Sequence, residues 1–173
     1  MLERIDPPVA ASPERFEDFY VREYLAVVGL AYALSGSRWA AEDLAQDAFL
    51  AAHRDWDRIG SYQHPAAWVR RVVANLAVSA FRRRVAETKA LARIALGRGE
   101  AVPDLAAADP EFWAAVRALP RRQTQVVALY YLEDRSVADV AEVLGMTPGT
   151  VKRHLYDARQ TLARRLQVRG TKG

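Results

Sequence analysis

Apolar residues recur along this chain at helical spacing, never in the strict alternation of a strand. Phe16, Phe19/Tyr20, Val27, Ala31 and Leu34 predict one long amphipathic helix over residues 13–34. Ser12-Pro13 supplies a cap and a first-turn proline, and Ser35-Gly36-Ser37 breaks the pattern. Over residues 38–57 a stripe of mostly small residues, Leu44, Ala48, Ala51 and Ala52, predicts a second helix suited to close packing. Its other side carries Glu42, Asp43, Gln46, Phe49, Leu50 and His53. Acids near a helix N-terminus complement the macrodipole. Phe49 and Leu50 amid polar groups have two readings: they reach a neighbouring helix, or they form a partner-docking surface. After a loop over residues 60–65, Val69, Val72, Val73, Leu76 and Ala80 mark a third helix over 65–84. Trp68, Arg71, Asn75, Ser79 and Arg82 step down another side of it.

Residues 85–110 read as a linker: Gly97, Gly99, Pro103 and the run ending at Asp109-Pro110 interrupt any period. Asp109-Pro110 then opens a helix holding Phe112, Val116 and Leu119, and Pro120 ends it and opens another over 121–132. The most legible stretch follows. Ser136 caps a helix whose Val137, Val140, Ala141 and Leu144 share one face. Gly145 stands where a helix end needs φ > 0, and Thr147-Pro148 starts the next helix, whose apolar face is Val151, Leu155, Ala158 and Leu162. Two such helices joined by a tight turn make a helix-turn-helix over about 136–155. Removing the apolar stripe leaves Thr150, Lys152, Arg153 and Tyr156 on the solvent side, where this motif presents its second helix to a DNA major groove. An ordinary helical hairpin with a solvated basic face would read the same way. The fold class expected is all-α: a loose tail over 1–12, two small helical domains over 13–84 and 111–168 joined by a flexible linker, and a short tail over 169–173.

Charge adds direction to this layout. Residues 1–84 hold 11 Lys/Arg and 11 Asp/Glu, residues 85–110 hold 3 and 4, and residues 111–173 hold 11 and 6, so the C-terminal part alone is basic, at +5. Between Asp57 and Glu87 there is no acid, while Arg58, Arg70, Arg71, Arg82, Arg83 and Arg84 are present. That cluster beside Trp68 is either a solvated basic face over a core tryptophan or a platform for a nucleic-acid backbone and a stacked base. No catalytic motif appears. His53, His64 and His154 fall in separate elements and match no metal spacing, so no cofactor or metal is expected. The chain has no cysteine, which excludes disulfides. No signal peptide is seen, and the longest apolar run, residues 24–34, is too short to span a bilayer. A cytoplasmic binding protein follows.

Three blocks in order resemble the RNA polymerase sigma factors of the extracytoplasmic-function type. Ala40-Ala-Glu-Asp-Leu-Ala-Gln-Asp-Ala-Phe49 is similar to that family's polymerase-docking helix. The stretch 56–84, with Pro65, Trp68, Arg71, Asn75 and Arg82-Arg83-Arg84, resembles its segment for melting and reading the −10 promoter element. Residues 119–166 resemble its −35-reading domain. The resemblance implies a bacterial, cytoplasmic promoter-specificity subunit, monomeric when free. It implies that Glu42, Asp43, Gln46, Asp47 and Phe49 bind the clamp helices of the largest polymerase subunit. Trp68, Arg71, Asn75, Arg82 and Arg83 would contact the −10 element, and the loop 60–65 would capture a flipped base. Thr147, Gly149, Thr150, Lys152, Arg153 and Tyr156 would contact the −35 element, with a second contact to the flap of the other large subunit. An anti-sigma factor would be a separate protein.

The sequence departs from the family pattern in the recognition helix. It reads Val151-Lys-Arg-His-Leu155, with the arginine moved one place, and Asp157 stands where a base is common. DNA binding is expected to survive this, but no known −35 sequence transfers. The rival is a stand-alone helix-turn-helix regulator, dimeric on a palindrome with half-sites about one helical turn apart.

Overall fold

A computed structural model describes residues 14–92 and 109–170, with side chains over 14–88 and 109–167. Among these residues every regular element is a helix: α1 (Phe16–Ser35), α2 (Arg38–Arg54), α3 (Trp56–Ile59), α4 (Pro65–Ala92), α5 (Pro110–Arg117), α6 (Arg121–Tyr131), α7 (Val137–Leu144) and α8 (Pro148–Gly170). The expected N-terminal tail, the Ser12-Pro13 start signal and most of the expected linker lie outside the described residues.

Local chemistry sets most of the boundaries. Gly36 ends α1 in the left-handed region, its N–H returning to the Tyr32 carbonyl at 2.7 Å. The Ser37 hydroxyl caps α2 by accepting from the Ala40 N–H. The Asp109 carboxylate accepts from the Glu111 and Phe112 N–H groups, with Pro110 in the first turn of α5. Ser136 and Asp139 form a reciprocal capping box at α7, worth about 0.5–2 kcal/mol to such a helix. Four boundaries differ from expectation. The first helix starts at Phe16 and not at residue 13, because Arg15 is extended (φ −69°, ψ 144°). The second helix stops at Arg54, because Asp55 leaves helical geometry (φ −129°, ψ 30°) before the short α3. Helix α4 runs to Ala92, well past residue 84, and α8 runs to Gly170, into the stretch expected to be tail.

Helices α1, α2 and α4 pack around Phe19, Leu30, Leu34, Ile59, Val69 and Val73, all fully buried. Helices α5 to α8 enclose Val116, Leu119, Val126, Leu129, Val140, Val151 and Leu155. At about 1.5–3 kcal/mol per buried large aliphatic or aromatic side chain, each group has its own apolar driving force. The groups also touch. Helix α1 packs on α5 and α6, α4 packs on α6 and α7, and the buried residues form one contiguous cluster.

Two apolar stripes are rotated from their expected positions. The buried face of α2 is Ala41, Ala45, Ala48, Phe49 and Ala52, while Leu44 and Ala51 are half-buried. In α4 the buried residues are Val69, Arg70, Val73, Ala74, Ala77 and Val78, with Val72, Leu76 and Ala80 at the margin.

Candidate polymerase and promoter interfaces

On α2, the residues off the buried stripe form an acidic, partly apolar face. Asp43, Gln46 and Asp47 are exposed, and Glu42 pairs with Arg38 one turn earlier at 3.4 Å. Phe49 does not belong to this face as a free side chain. It is 2% exposed, with ring centroids 4.9 Å from Tyr20 and 6.0 Å from Phe19, so it fills the space between α1 and α2. It helps to line an open pocket of about 370 Å³ together with Phe16, Tyr20, Gln46, Leu50 and His53. The exposed apolar residues here are Leu50, 52% exposed, and Trp39, 80% exposed. Trp39 was not singled out from the sequence, although a tryptophan one turn before an acidic helical face was a signal that could have found it.

Helix α4 carries the expected −10 residues, and the structure turns most of them toward α5–α7. Arg71 donates from Nε to the Val143 carbonyl at 2.5 Å and from Nη2 to the Glu142 carbonyl at 2.8 Å, capping the C-terminus of α7. Asn75 Oδ1 accepts from Arg121 Nη2 at 2.8 Å and from Gln125 Nε2 at 2.9 Å. Arg82 donates to the Leu119 carbonyl just past α5 at 3.2 Å. Arg83 alone points to solvent, 4.0 Å from Glu87. Trp68 is half-buried in an open pocket of about 310 Å³ lined also by Tyr62, Gln63, His64, Ala67, Arg71 and, from α7, Glu142. Gly60 starts this loop with its Cα against Trp56, where an added Cβ would lie 2.8 Å from the Trp56 carbonyl oxygen.

Beneath this surface lies a charge cluster that sequence periodicity missed. Arg70, 3% exposed, donates from Nη1 to Glu23 of α1 at 2.8 Å and from Nε to Glu133, in the loop between α6 and α7. Burial pulls the Arg70 pKa down, but the charges and hydrogen bonds of Glu133 and Glu23 outweigh it, and the net shift is upward. For Glu23, burial pushes upward, and hydrogen bonds from Arg70 and Arg22 overcome it and hold the carboxyl below its ordinary value. A second cluster caps α1: Arg117 donates to the Ala33 carbonyl at 3.0 Å, and Arg84 donates to the Ser35 carbonyl. Burial lowers the Arg117 pKa, which nearby Arg84 reinforces.

The helix-turn-helix presents a different picture. Gly145 takes φ 63° between α7 and α8, the left-handed turn its position predicts. Thr147 and Thr150 share a hydroxyl–hydroxyl hydrogen bond of 2.8 Å, and the Thr150 N–H donates to Thr147 Oγ1 at 3.2 Å. Thr147, Gly149, Thr150, Lys152, Arg153 and Tyr156 are all exposed, opposite buried Val151, Leu155 and Ala158. The packing of the two helical groups that engages Arg71, Asn75 and Arg82 leaves this face open.

Comparison with known proteins agrees with this division. Residues 19–87 match the family model for Sigma-70 region 2, and residues 110–162 match that for Sigma-70, region 4. The fold and its two faces thus define a two-region protein of the sigma-70 type. SigM, an ECF RNA polymerase sigma factor of Mycobacterium tuberculosis, is 32% identical over 161 residues, covering 91% of this chain and 80% of the relative. SigW of Bacillus subtilis is 26% identical, covering 80% and 81% of the two chains. Among solved structures, the sigma factor RpoE of Bartonella quintana, in complex with the anti-sigma factor NepR, matches with a TM-score of 0.65 and 25% identity over 88% of this chain and 97% of that one. CnrH in complex with the cytosolic domain of CnrY shares the fold at the same TM-score and 23% identity. The chain belongs to the extracytoplasmic-function (ECF) RNA polymerase sigma factors, which direct promoter-specific transcription initiation without catalysis of their own. The match to region 2 weighs against a stand-alone helix-turn-helix regulator, which has no use for it. No helix among the described residues is long and apolar enough to cross a membrane.

Proposed function

We propose that this sigma factor, a cytoplasmic protein, divides its work among three faces. Exposed Asp43, Gln46 and Asp47 of α2, with Glu42 beside them, dock on the clamp helices of the largest polymerase subunit, and Phe49 supports that face from below. Trp68, Arg71, Asn75, Arg82 and Arg83 of α4, with the loop 60–65, open and read the −10 element. Thr147, Gly149, Thr150, Lys152, Arg153 and Tyr156 of α8 read the −35 element in duplex. The groove of about 670 Å³ between α5 and α8, lined by Ala114, Ala115, Ala118 and Leu166 among others, is the surface assigned to the polymerase flap.

The observation that carries this reading is the contrast in exposure. Exposed Asp43 and Asp47 line α2 and a basic face lines α8, both open to solvent, while Arg71, Asn75 and Arg82, needed only after strand separation, are engaged inside the chain. The packed arrangement is the resting form. Binding to polymerase separates the two regions to promoter spacing and raises their effective concentration for the second DNA contact. A separate anti-sigma factor would act by holding the packed form. Run-off transcription with core polymerase on genomic DNA, with start sites sequenced, tests the function. Start sites sharing a −10 and a −35 element at fixed spacing are expected. Transcription independent of the added chain, or binding as a dimer to palindromes without polymerase, would overturn it.

A further inference from the structure

Helix α8 carries Lys152, Arg153, Arg159, Arg164, Arg165 and Arg169 but a single acid, Asp157. At 100° per residue Asp157 falls between Thr150 and Arg153 on the exposed side, away from Val151, Leu155, Ala158 and Leu162. A carboxylate on a surface that faces phosphates costs affinity through simple repulsion. Its position therefore asks for a compensating role, and its contacts supply one. Asp157 Oδ2 lies 3.6 Å from Arg153 Nε, one turn away. Among the described residues the Arg153 side chain has no other polar partner, and it is 80% exposed against 38% for Asp157.

We propose that Asp157 is a positioning residue for base reading: it holds the Nε edge of Arg153 and leaves the two terminal nitrogens to grip one guanine of the −35 element. The proposal rests on α8 being the −35-reading helix. Arginine reads guanine through two donors against O6 and N7, which requires a fixed guanidinium plane. A carboxylate 3.6 Å from Nε favours the orientations of that plane that keep Nε facing it. Helix stabilisation is a poor alternative, because the base precedes the acid here, the weaker order for a pair four residues apart, and exposed pairs are screened by salt. The same carboxylate repels DNA backbone at every sequence. Asp157 thus trades general affinity for discrimination at one base pair.

The test assembles the full chain with core polymerase and selects from duplexes randomised across the −35 region. Arg153→Ala is expected to flatten the preference at one position by tenfold or more. Asp157→Asn should flatten that same position while raising affinity for unselected duplex several-fold and steepening its salt dependence. Asp157→Glu, which keeps a carboxylate within reach, should retain the preference. A merely structural role would move the melting temperature and none of these profiles. If Asp157→Asn leaves the Arg153 position sharp, the proposal is wrong, even where affinity rises. If it instead alters a different position, Asp157 reads its own base and the proposal is equally overturned. If Arg153→Ala flattens no position at all, the assignment of Arg153 to base reading fails first and takes the proposal with it.

Discussion

Arg71 and Val143 join the two sigma regions: the Nε of the first donates to the carbonyl oxygen of the second at 2.5 Å, at the C-terminal end of α7. Helix C-termini carry about half a negative charge, so this end offers an arginine much of what a phosphate offers. Arg82 makes the same kind of contact just past the end of α5. On the proposed −10 role of these arginines, promoter DNA would compete with the helix ends of region 4 for the same guanidinium groups.

Opening the chain is expected to release them. Glu133 is the region 4 member of the buried cluster around Arg70, and its second carboxylate oxygen has no hydrogen-bond partner. An unsatisfied buried acceptor costs about 1–3 kcal/mol, so the grip is only partly compensated. Glu133→Lys places a like charge against buried Arg70, which keeps Glu23 as its partner. Small-angle scattering should show expansion beyond the roughly 16 Å radius of gyration of a compact chain of this length. Binding of a single-stranded −10 oligonucleotide without polymerase should rise at least tenfold. Expansion without a gain in binding would mean that the engaged arginines are not the −10 contacts.

Acid should weaken the same cluster. The Glu23 pKa is lowered in the folded chain from an ordinary 4.5. A depressed carboxyl contributes stability above its unfolded pKa and loses it as pH falls through the folded value. For this residue, melting temperature is therefore flat from pH 7 down to about pH 5 and falls below about pH 4.5. Glu23→Gln should lower the plateau and reduce the acid-limb slope. Wild-type and variant curves that run parallel below pH 4.5 would show that Glu23 carries none of the acid sensitivity.

Phe49 and its acidic neighbours should separate in the same assay pair. Phe49 is packed against Phe19 and Tyr20, so Phe49→Ala should cost about 3–5 kcal/mol and lower the melting temperature by more than about 6 °C. Asp43→Lys with Asp47→Lys should shift stability by no more than about 0.5 kcal/mol per site and still abolish polymerase binding. A large loss of stability from the charge reversals would make the acids structural.

The contrast between these residues also shows what was legible in the sequence. The helix-turn-helix was, because Ser136, Gly145, Thr147 and Pro148 act on their own backbone within a few residues. The facing of α2 was not. Its candidate stripes are built mostly of alanines, and the choice between Leu44 and Phe49 is made by Phe19 and Tyr20 on another helix. Arg70 was read as part of a basic surface. Its burial is made tolerable by Glu23 and Glu133, which lie 47 and 63 positions away and leave no local signal. The family resemblance implies that the two regions pack together in the free chain, but the engagement of Arg71, Asn75 and Arg82 in that packing was equally invisible, since arginines that cap a remote helix and arginines that contact phosphate look alike in sequence.

The two DNA surfaces should fail in different ways. Lys152 lies on the open face of α8 with no ion pair among the described residues, and a flexible ammonium suits phosphate better than a base edge. Lys152→Ala should weaken all promoters alike and reduce the salt slope by about one. Trp68 belongs to the other surface, in an open pocket that Glu142 of α7 helps to line. On the proposed −10 role, a base would reach its ring only when the strands part. Trp68→Ala should thus leave closed-complex affinity with polymerase unchanged and slow open-complex formation, since stacking on one aromatic is worth about 1–3 kcal/mol per base. A template with a pre-melted −10 bubble should relieve the slow opening and leave the Lys152→Ala defect in place. Closed-complex affinity and opening rate, measured separately on duplex and bubble templates, decide the matter. Identical profiles for the two variants on both templates would dissolve the division between the α4 and α8 surfaces.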